Sequence, residues 1–268
     1  MAVSYEDCKK ELDAVSDPEI GTVSCMPNRM EIVTAIRRTQ NVLFPGVFKR
    51  ADTVKEDFEK LNAELARQIA LAKSCDEKTA EELADAYMKR LPEVKKILLT
   101  DVTAIYNGDP AAKSKTEIIV CYPGFLAIFI YRIAHLLRTM DIPYIPRIMT
   151  EYAHEKTGID INPGAVIGES FCIDHGTGIV IGETSVIGHH VKLYQGVTIG
   201  AKSFENDENG FPVKGGKRHP DLGNYVTVYA NATILGGDTK IADRCVIGGN
   251  VWLTHSVPED TTVIYQSH

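Results

Sequence analysis

Three short runs of this chain hold side chains that could move a proton or grip a charged substrate. Asp174-His175 is followed by Gly176-Thr177-Gly178, and Asp160 stands fifteen residues before the histidine. Imidazole is the group whose unperturbed pKa best suits general-base work near neutrality. A carboxylate held against one ring nitrogen fixes the tautomer and raises the basicity of the other. Lys217-Arg218-His219-Pro220 adds a guanidinium, whose two-pronged donor set matches a carboxylate, and a second imidazole. Against these readings stand plainer ones: solvated side chains at surface corners, and a basic loop end on an acidic protein.

Other polar groups carry less. His189-His190 looks like a metal pair, but adjacent side chains at a corner are expected to diverge into solvent. Asp207 to Gly210 has the start of a calcium loop without the later ligands, so a solvated turn is expected. His135 and His154 fall on helices as packing residues. His175, His219 and His255 are too dispersed to hold zinc as three imidazoles, so no metal is expected.

The stretch Ile161 to Pro258 must position the chemistry. Aliphatic residues recur every six positions: Ile161, Ile167 and Ile173, then Ile181, Ile187, Leu193 and Ile199, then Leu222, Val228 and Ile234, then Ile241, Ile247 and Leu253. The register slips by two after Ile179. A period of six matches neither a helix nor an alternating strand. It fits a coil of short parallel strands in which each turn sends one aliphatic side chain into a central stack. Thirteen such hexads at three per turn give about four turns. His175 then lies at a corner, with Asp160 nearly one turn below, and residues 201–221 leave the coil as one long loop, a usual place for function.

Upstream, apolar spacing of three and four predicts helices. One runs from Asn28, its cap, to Val42. A second, from Ala51 to Ser74, buries Phe58, Leu61, Leu65 and Ile69. Glu77 to Tyr106 should be divided at Pro92, and Asp109 should cap a short helix starting at Pro110. An apolar run, Ile118 to Leu137, is interrupted by Pro123, Gly124, Arg132 and His135, so it reads as a buried helix and not a membrane span. A last helix covers Arg147 to Lys156. The fold class is α + β, with a helical domain over 1–157 (1–27 a loose arm) and a β-helix over 158–268.

The net charge is −7, and neither part has a basic surplus: residues 157–268 carry 7 Lys and Arg against 12 Asp and Glu. That argues against nucleic acid as a partner. Six scattered cysteines without a C-x-x-C pair read as reduced thiols, and the acidic N-terminus lacks an apolar signal core; a cytoplasmic protein is expected.

The runs Ile173-Asp174-His175-Gly176-Thr177-Gly178-Ile179-Val180-Ile181-Gly182-Glu183-Thr184 and Lys217-Arg218-His219-Pro220, preceded by Asp109-Pro110-Ala111 and Tyr131-Arg132-Ile133-Ala134-His135, resemble serine O-acetyltransferase of the hexapeptide-repeat acyltransferases. The resemblance covers about Asp101 to Thr262. It implies a left-handed parallel β-helix and transfer of the acetyl group of acetyl-CoA to L-serine, the first step of cysteine biosynthesis. It implies His175 as base, Asp160 as its orienting carboxylate and His219 beside the reacting oxygen. Asp109 and Asp174 would meet the amino group and Arg218 the carboxylate, with Glu183 in support. Acetyl-CoA would lie near Gly200, Ala230 and Gly249, between subunits of a homotrimer or a hexamer of two trimers.

The resemblance further implies L-cysteine as a feedback inhibitor competing with serine. A stable complex with O-acetylserine sulfhydrylase is not expected, because the chain stops shortly after Thr262 and ends in Ser267-His268 where the family carries a flexible tail ending in Ile. The family's Gly-Phe-His-Ala is Gly124-Phe125-Leu126-Ala127 here. Transfer to homoserine, a sugar or an antibiotic, or a non-catalytic scaffold, are the alternatives.

Overall fold

The computed structural model describes residues 4–15, 26–203, 207–211, 213 and 215–265. The segment Gln266 to His268, on which the docking expectation turns, lies outside the described residues, as does much of the 1–27 arm. Within that arm Tyr5–Ala14 is helical (α1).

Asn28 caps α2 (Arg29–Leu43), its Oδ1 accepting from the amides of Met30 and Glu31 at 2.9 and 3.3 Å. A 3-10 turn leads into α3 (Val54–Lys73), which buries Leu61, Leu65 and Ile69 but leaves Phe58 43% exposed, off the expected face. The expected division at Pro92 does not occur: α4 runs unbroken from Glu77 to Gly108. Proline removes one donor, toward the carbonyl four residues back. Buried Leu91, Val94 and Leu98 keep the two halves on one packed face and outweigh that loss.

The expected helix at Pro110 is also absent. Asp109 Oδ1 instead accepts from the Ala111 amide at 2.8 Å, closing a turn, and α5 (Lys115–Cys121) starts later under a Ser114 cap. The apolar run is two helices, α5 and α6 (Pro123–Thr139), bent by 77°. Among the described residues no single helix is long and apolar enough to cross a membrane. After α7 (Ile145–Thr157) the chain turns through Gly158 at φ 69°.

Fourteen short strands follow: β1 (Asp160–Ile161), β2 (Val166–Ile167), β3 (Cys172–Asp174), β4 (Val180–Ile181), β5 (Val186–Ile187), β6 (Lys192–Tyr194), β7 (Thr198–Gly200), β8 (Asp221–Leu222), β9 (Thr227–Val228), β10 (Thr233–Leu235), β11 (Lys240–Ile241), β12 (Val246–Ile247), β13 (Trp252–Leu253) and β14 (Thr262–Val263). They form three parallel sheets, β1-β4-β7-β10-β13, β2-β5-β8-β11 and β3-β6-β9-β12-β14. The coil makes about five turns, one more than the hexad count. The extra strand β14 has a weaker signature, because Val263 is only partly buried. The hexad aliphatics stack in register, for example Ile161, Ile181, Ile199, Ile234 and Leu253.

The first turn has no turn beneath it to receive its backbone groups, and the helices do this instead. From α6, Tyr131 Oη donates to Ala165 O (2.6 Å), His135 Nδ1 to Pro163 O (2.8 Å), and Arg132 to the carbonyls of Ile167 (2.5 Å) and Gly168 (2.6 Å). From α4, Thr100 Oγ1 accepts from the Ser170 amide and Asp101 Oδ1 from that of Phe171. Arg132 and Asp101 form a two-point ion pair at 3.0 Å, almost wholly buried. Gly124 permits the contact, since a Cβ there would lie 2.8 Å from Ile173 O.

Breaking that pair from one side should be costly. Arg132→Met leaves Asp101 buried without its cation and strips two carbonyls of donors, so a loss of about 3–5 kcal/mol in unfolding free energy is expected. Urea unfolding measures it; a loss below about 1 kcal/mol would show that the helices do not cap the coil.

Candidate active site

The corner between β3 and β4 carries His175 and is two residues longer than its counterpart between β6 and β7, which accounts for the slip in the hexad register. His175 sits in the left-handed region at φ 57°, followed by Gly176 at 96° and Gly178 at 86°. A Cβ on Gly176 would come 2.5 Å from Ile159 Cδ1, so the corner needs glycine there. The wide corner pushes the His175 ring outward, leaving it 75% exposed.

Its carboxylate neighbour is Asp174, with Oδ1 3.7 Å from His175 Nε2. Asp160 lies on β1, opposite Val180, and no ion pair joins it to His175 among the described residues. Lys192, from β6, donates to Asp174 Oδ2 and to Gly108 O, both at 2.8 Å. Asp109, just past α4, accepts from Tyr122 Oη at 2.6 Å and from the Ala111 amide. The Tyr122 bond, then the amide, hold the Asp109 carboxyl below the usual range, while the same bond pushes the Tyr122 phenol up to about 12. Beneath them burial pushes the Cys172 thiol up to about 12.

A second group forms at the next corner, between β4 and β5. Arg218 Nη2 donates to Glu183 Oε2 at 2.6 Å and Nη1 to Gly215 O at 3.1 Å. The amides of Arg218 and His219 both donate to Thr184 Oγ1 (3.0 and 3.1 Å), pinning the loop end to the coil. In return the Thr184 amide donates to His219 Nδ1 at 3.1 Å. Nδ1 is therefore an acceptor, and a neutral ring carries its proton on Nε2. The ring is 8% exposed and fills the space above Gly182, where a Cβ would lie 2.0 Å from its Cδ2.

Burial first, then the charges of Arg218 and Lys217, push the His219 pKa from the ordinary imidazole value near 6.5 down to about 4. Between those values the unfolded chain takes up a proton that the folded chain refuses, so stability is lost as pH falls through the window. His219→Gln should flatten the slope of unfolding free energy against pH over that interval. A slope identical to the parent's would rule out a buried neutral ring.

Of the residues the resemblance assigns to acetyl-CoA, Ala230 and Gly249 continue the His175 column: Asn231 N donates to Gln195 O and Asn250 N to Ala230 O, each at 2.9 Å. Gly200 ends β7 at the other corner, beside a cleft of about 510 Å³ lined by Lys202, Lys217, Arg218, Gly236, Asp238 and Thr239. Within one chain the His175 and Arg218 groups thus stand at different corners, and no hydrogen bond or ion pair joins them among the described residues.

The His189 and His190 rings do not diverge. His190 has φ 57°, which turns it to stack on Tyr225 one turn above (4.8 Å), and the two Nδ1 atoms lie 2.9 Å apart. Asp207 Oδ1 accepts from the amides of Asn209 and Phe211, a turn closed on itself. Sequence reasoning gave no role to Lys192, Tyr122, Thr184 or Gly182.

Residues 37–129 match a family model described as serine acetyltransferase, N-terminal. A serine acetyltransferase of Synechococcus elongatus, described as plasmid-borne, is 44% identical over 255 residues, 87% of this chain and 80% of that one. The crystal structure of Entamoeba histolytica serine acetyltransferase 1 in complex with L-cysteine superposes with a TM-score of 0.79 at 35% identity, covering 94% of each chain. That of the Neisseria gonorrhoeae enzyme in complex with serine gives 0.61 at 26% identity, over 89% of this chain and 93% of that one. With fold, corner chemistry and relatives in agreement, the chain belongs to the serine acetyltransferases.

Proposed function

We propose that this protein transfers the acetyl group of acetyl-CoA to the hydroxyl of L-serine, giving O-acetylserine and CoA. The observation that carries the reading is an exposed imidazole on a widened corner with a carboxylate 3.7 Å from its Nε2. An alcohol must lose its proton as it attacks a thioester, and His175 takes that proton. The carbonyl carbon becomes tetrahedral, the C–S bond breaks, and the imidazolium returns the proton to the departing thiolate. His219, neutral with its proton on Nε2, donates a hydrogen bond to the oxygen at the reacting centre. Asp160 serves as a further carboxylate behind His175.

Serine is held at both ends, its ammonium by Asp109 and Asp174 and its carboxylate by Arg218, which Glu183 aims; this orients the hydroxyl and rejects simple alcohols. Acetyl-CoA runs along the coil past Ala230 and Gly249 of one chain and Gly200 of the next, and the cleft with Lys202 and Lys217 suits its phosphates. Because His175 and Arg218 occupy different corners, the complete site forms between chains packed side by side as a trimer. The helices join trimers into a hexamer. Cysteine, which differs from serine at one atom, competes for the same groups, in keeping with the cysteine-bound Entamoeba structure. The six scattered cysteines without a C-x-x-C pair support a cytoplasmic setting.

Release of CoA thiol, followed with serine, homoserine and a simple sugar as acceptors, tests the reading. A serine kcat/KM at least about tenfold above the others is expected: the sugar leaves Arg218 and Asp109 unpaired, and homoserine, held by the same groups, carries its hydroxyl one methylene away from where serine presents it to His175. Preference for homoserine or the sugar would transfer the assignment to that acceptor. No thiol release with any acceptor would leave a scaffold.

A further inference from the structure

We infer that the side chain of Gln195 holds the pantetheine arm of acetyl-CoA, its Oε1 accepting a hydrogen bond from the amide N–H nearest the thioester and so setting the acetyl carbon at His175. The inference rests on the proposed acetyl-CoA reaction and adds a side-chain contact to the path proposed along Ala230 and Gly249.

Strand register stacks the corner residues above the base. Ile173 pairs with Leu193, Leu193 with Val228 and Val228 with Ile247, so Gln195, Ala230 and Gly249 follow His175 in successive turns. Backbone bonds fasten these corners: Gly196 N donates to Thr177 O at 3.0 Å and Asn231 N to Gln195 O at 2.9 Å. A pantetheine arm leaving His175 along the column therefore meets Gln195 first, and above it only alanine and glycine. Residue 196 cannot carry a side chain that would screen Gln195, because φ there is 72° and a Cβ would lie 2.1 Å from Asn231 Oδ1.

Gln195 Oε1 is buried without a hydrogen-bond partner among the described residues. The other side-chain atoms in that condition lie away from the column: Asn62 on α3, Tyr87 on α4, and Ser185 inside the coil at 1% exposure. A buried acceptor that receives no hydrogen bond is costly, and rotating the amide toward an N–H in the groove breaks no existing bond at Oε1. Because the orphan is an acceptor, it selects among the atoms of acetyl-CoA. The thioester oxygen and sulfur have no hydrogen to give, and the first N–H along the arm is that of the cysteamine amide. Two methylenes separate that amide from the sulfur. With the acetyl carbon at His175 it falls about one turn further on, adjacent strands being ~4.8 Å apart.

Titration calorimetry compares CoA with an analogue whose cysteamine amide is an ester, in the parental full chain and in Gln195→Met, which keeps the length and loses the acceptor. The ester sets a lone pair against Oε1, so the parent binds CoA about fivefold or more tighter than the analogue. In Gln195→Met that preference disappears, with CoA weakened to the level of the analogue. Gln195→Glu, which keeps an oxygen acceptor, keeps the preference. In thiol-release assays Gln195→Met raises the acetyl-CoA KM by a similar factor and leaves the serine KM at the parental value. If Gln195→Met does not fold, Gln195→Ala is read the same way. Equal weakening of CoA and analogue, the mark of a merely structural side chain, overturns the inference. So does a preference that survives the substitution or is absent from the parent. A parental chain that binds no CoA would instead sink the proposed reaction.

Discussion

Replacing His175 should remove nearly all serine-dependent CoA release and leave the fold intact. The ring is 75% exposed and has no hydrogen-bond partner in the core, so deleting it opens no cavity. The backbone needs more care, because φ is 57° at this position. Alanine adopts the left-handed region poorly, whereas asparagine visits it readily. His175→Asn is therefore the cleaner variant, with His175→Ala beside it. Loss of a general base costs ~10²–10⁴-fold in rate. Turnover above about a tenth of the parent's would remove His175 from the mechanism, since no single positioned base is worth so little. Unchanged thermal unfolding separates lost chemistry from lost structure. Asp160→Asn should cost less, because it acts through the ring.

Much of the fold was legible because the solenoid repeats one physical requirement. Each hexad must send one aliphatic side chain inward, and Ile161 to Leu253 do so in register. The site was legible for a related reason. A polar pair that breaks the period, as Asp174-His175 does, spoils the repeat without improving the packing. Two features of the helical part were not legible. Pro92 is a local rule against a helix interior, but tertiary burial on both sides overrode it. Asp109 could cap a helix or close a turn, and only the placement of Tyr122 and α5 decides.

Lys192 shows the limit most clearly. A lysine at an outward strand position reads as solvated, and nothing near it in sequence says otherwise. Its partners, Gly108 O and Asp174, come from 84 and 18 residues away. His189 and His190 failed for a conformational reason: the left-handed turn at His190 stacks its ring on Tyr225, and spacing along the chain does not encode that. An even period puts Asp160 nearly one turn below His175, but the corner carrying His175 is two residues longer than an even period allows.

Two inactive variants should restore each other when their chains assemble together. The His175 corner and the Arg218–His219 corner bound the same sheet, β1-β4-β7-β10-β13, at its opposite edges. If that sheet faces the axis of a trimer, each interface sets one chain's His175 against the next chain's His219. His175→Asn chains keep a sound Arg218–His219 corner, and His219→Ala chains keep a sound His175 corner. Each variant alone forms only broken sites. An interface is whole, and regains parental turnover, when one particular neighbour is of each kind: about a quarter of the sites in randomly mixed trimers, and about one in three once trimers of a single kind are removed. Against the ~10²–10⁴-fold loss in the His175 variant alone, that recovery is large and easily read. Co-expression with two different tags, followed by two-step purification, yields the mixed species directly. A site contained in one chain gives no recovery at any mixing ratio. Activity that stays at the level of the weaker parent would therefore place both imidazoles in a single subunit and discard the shared interface.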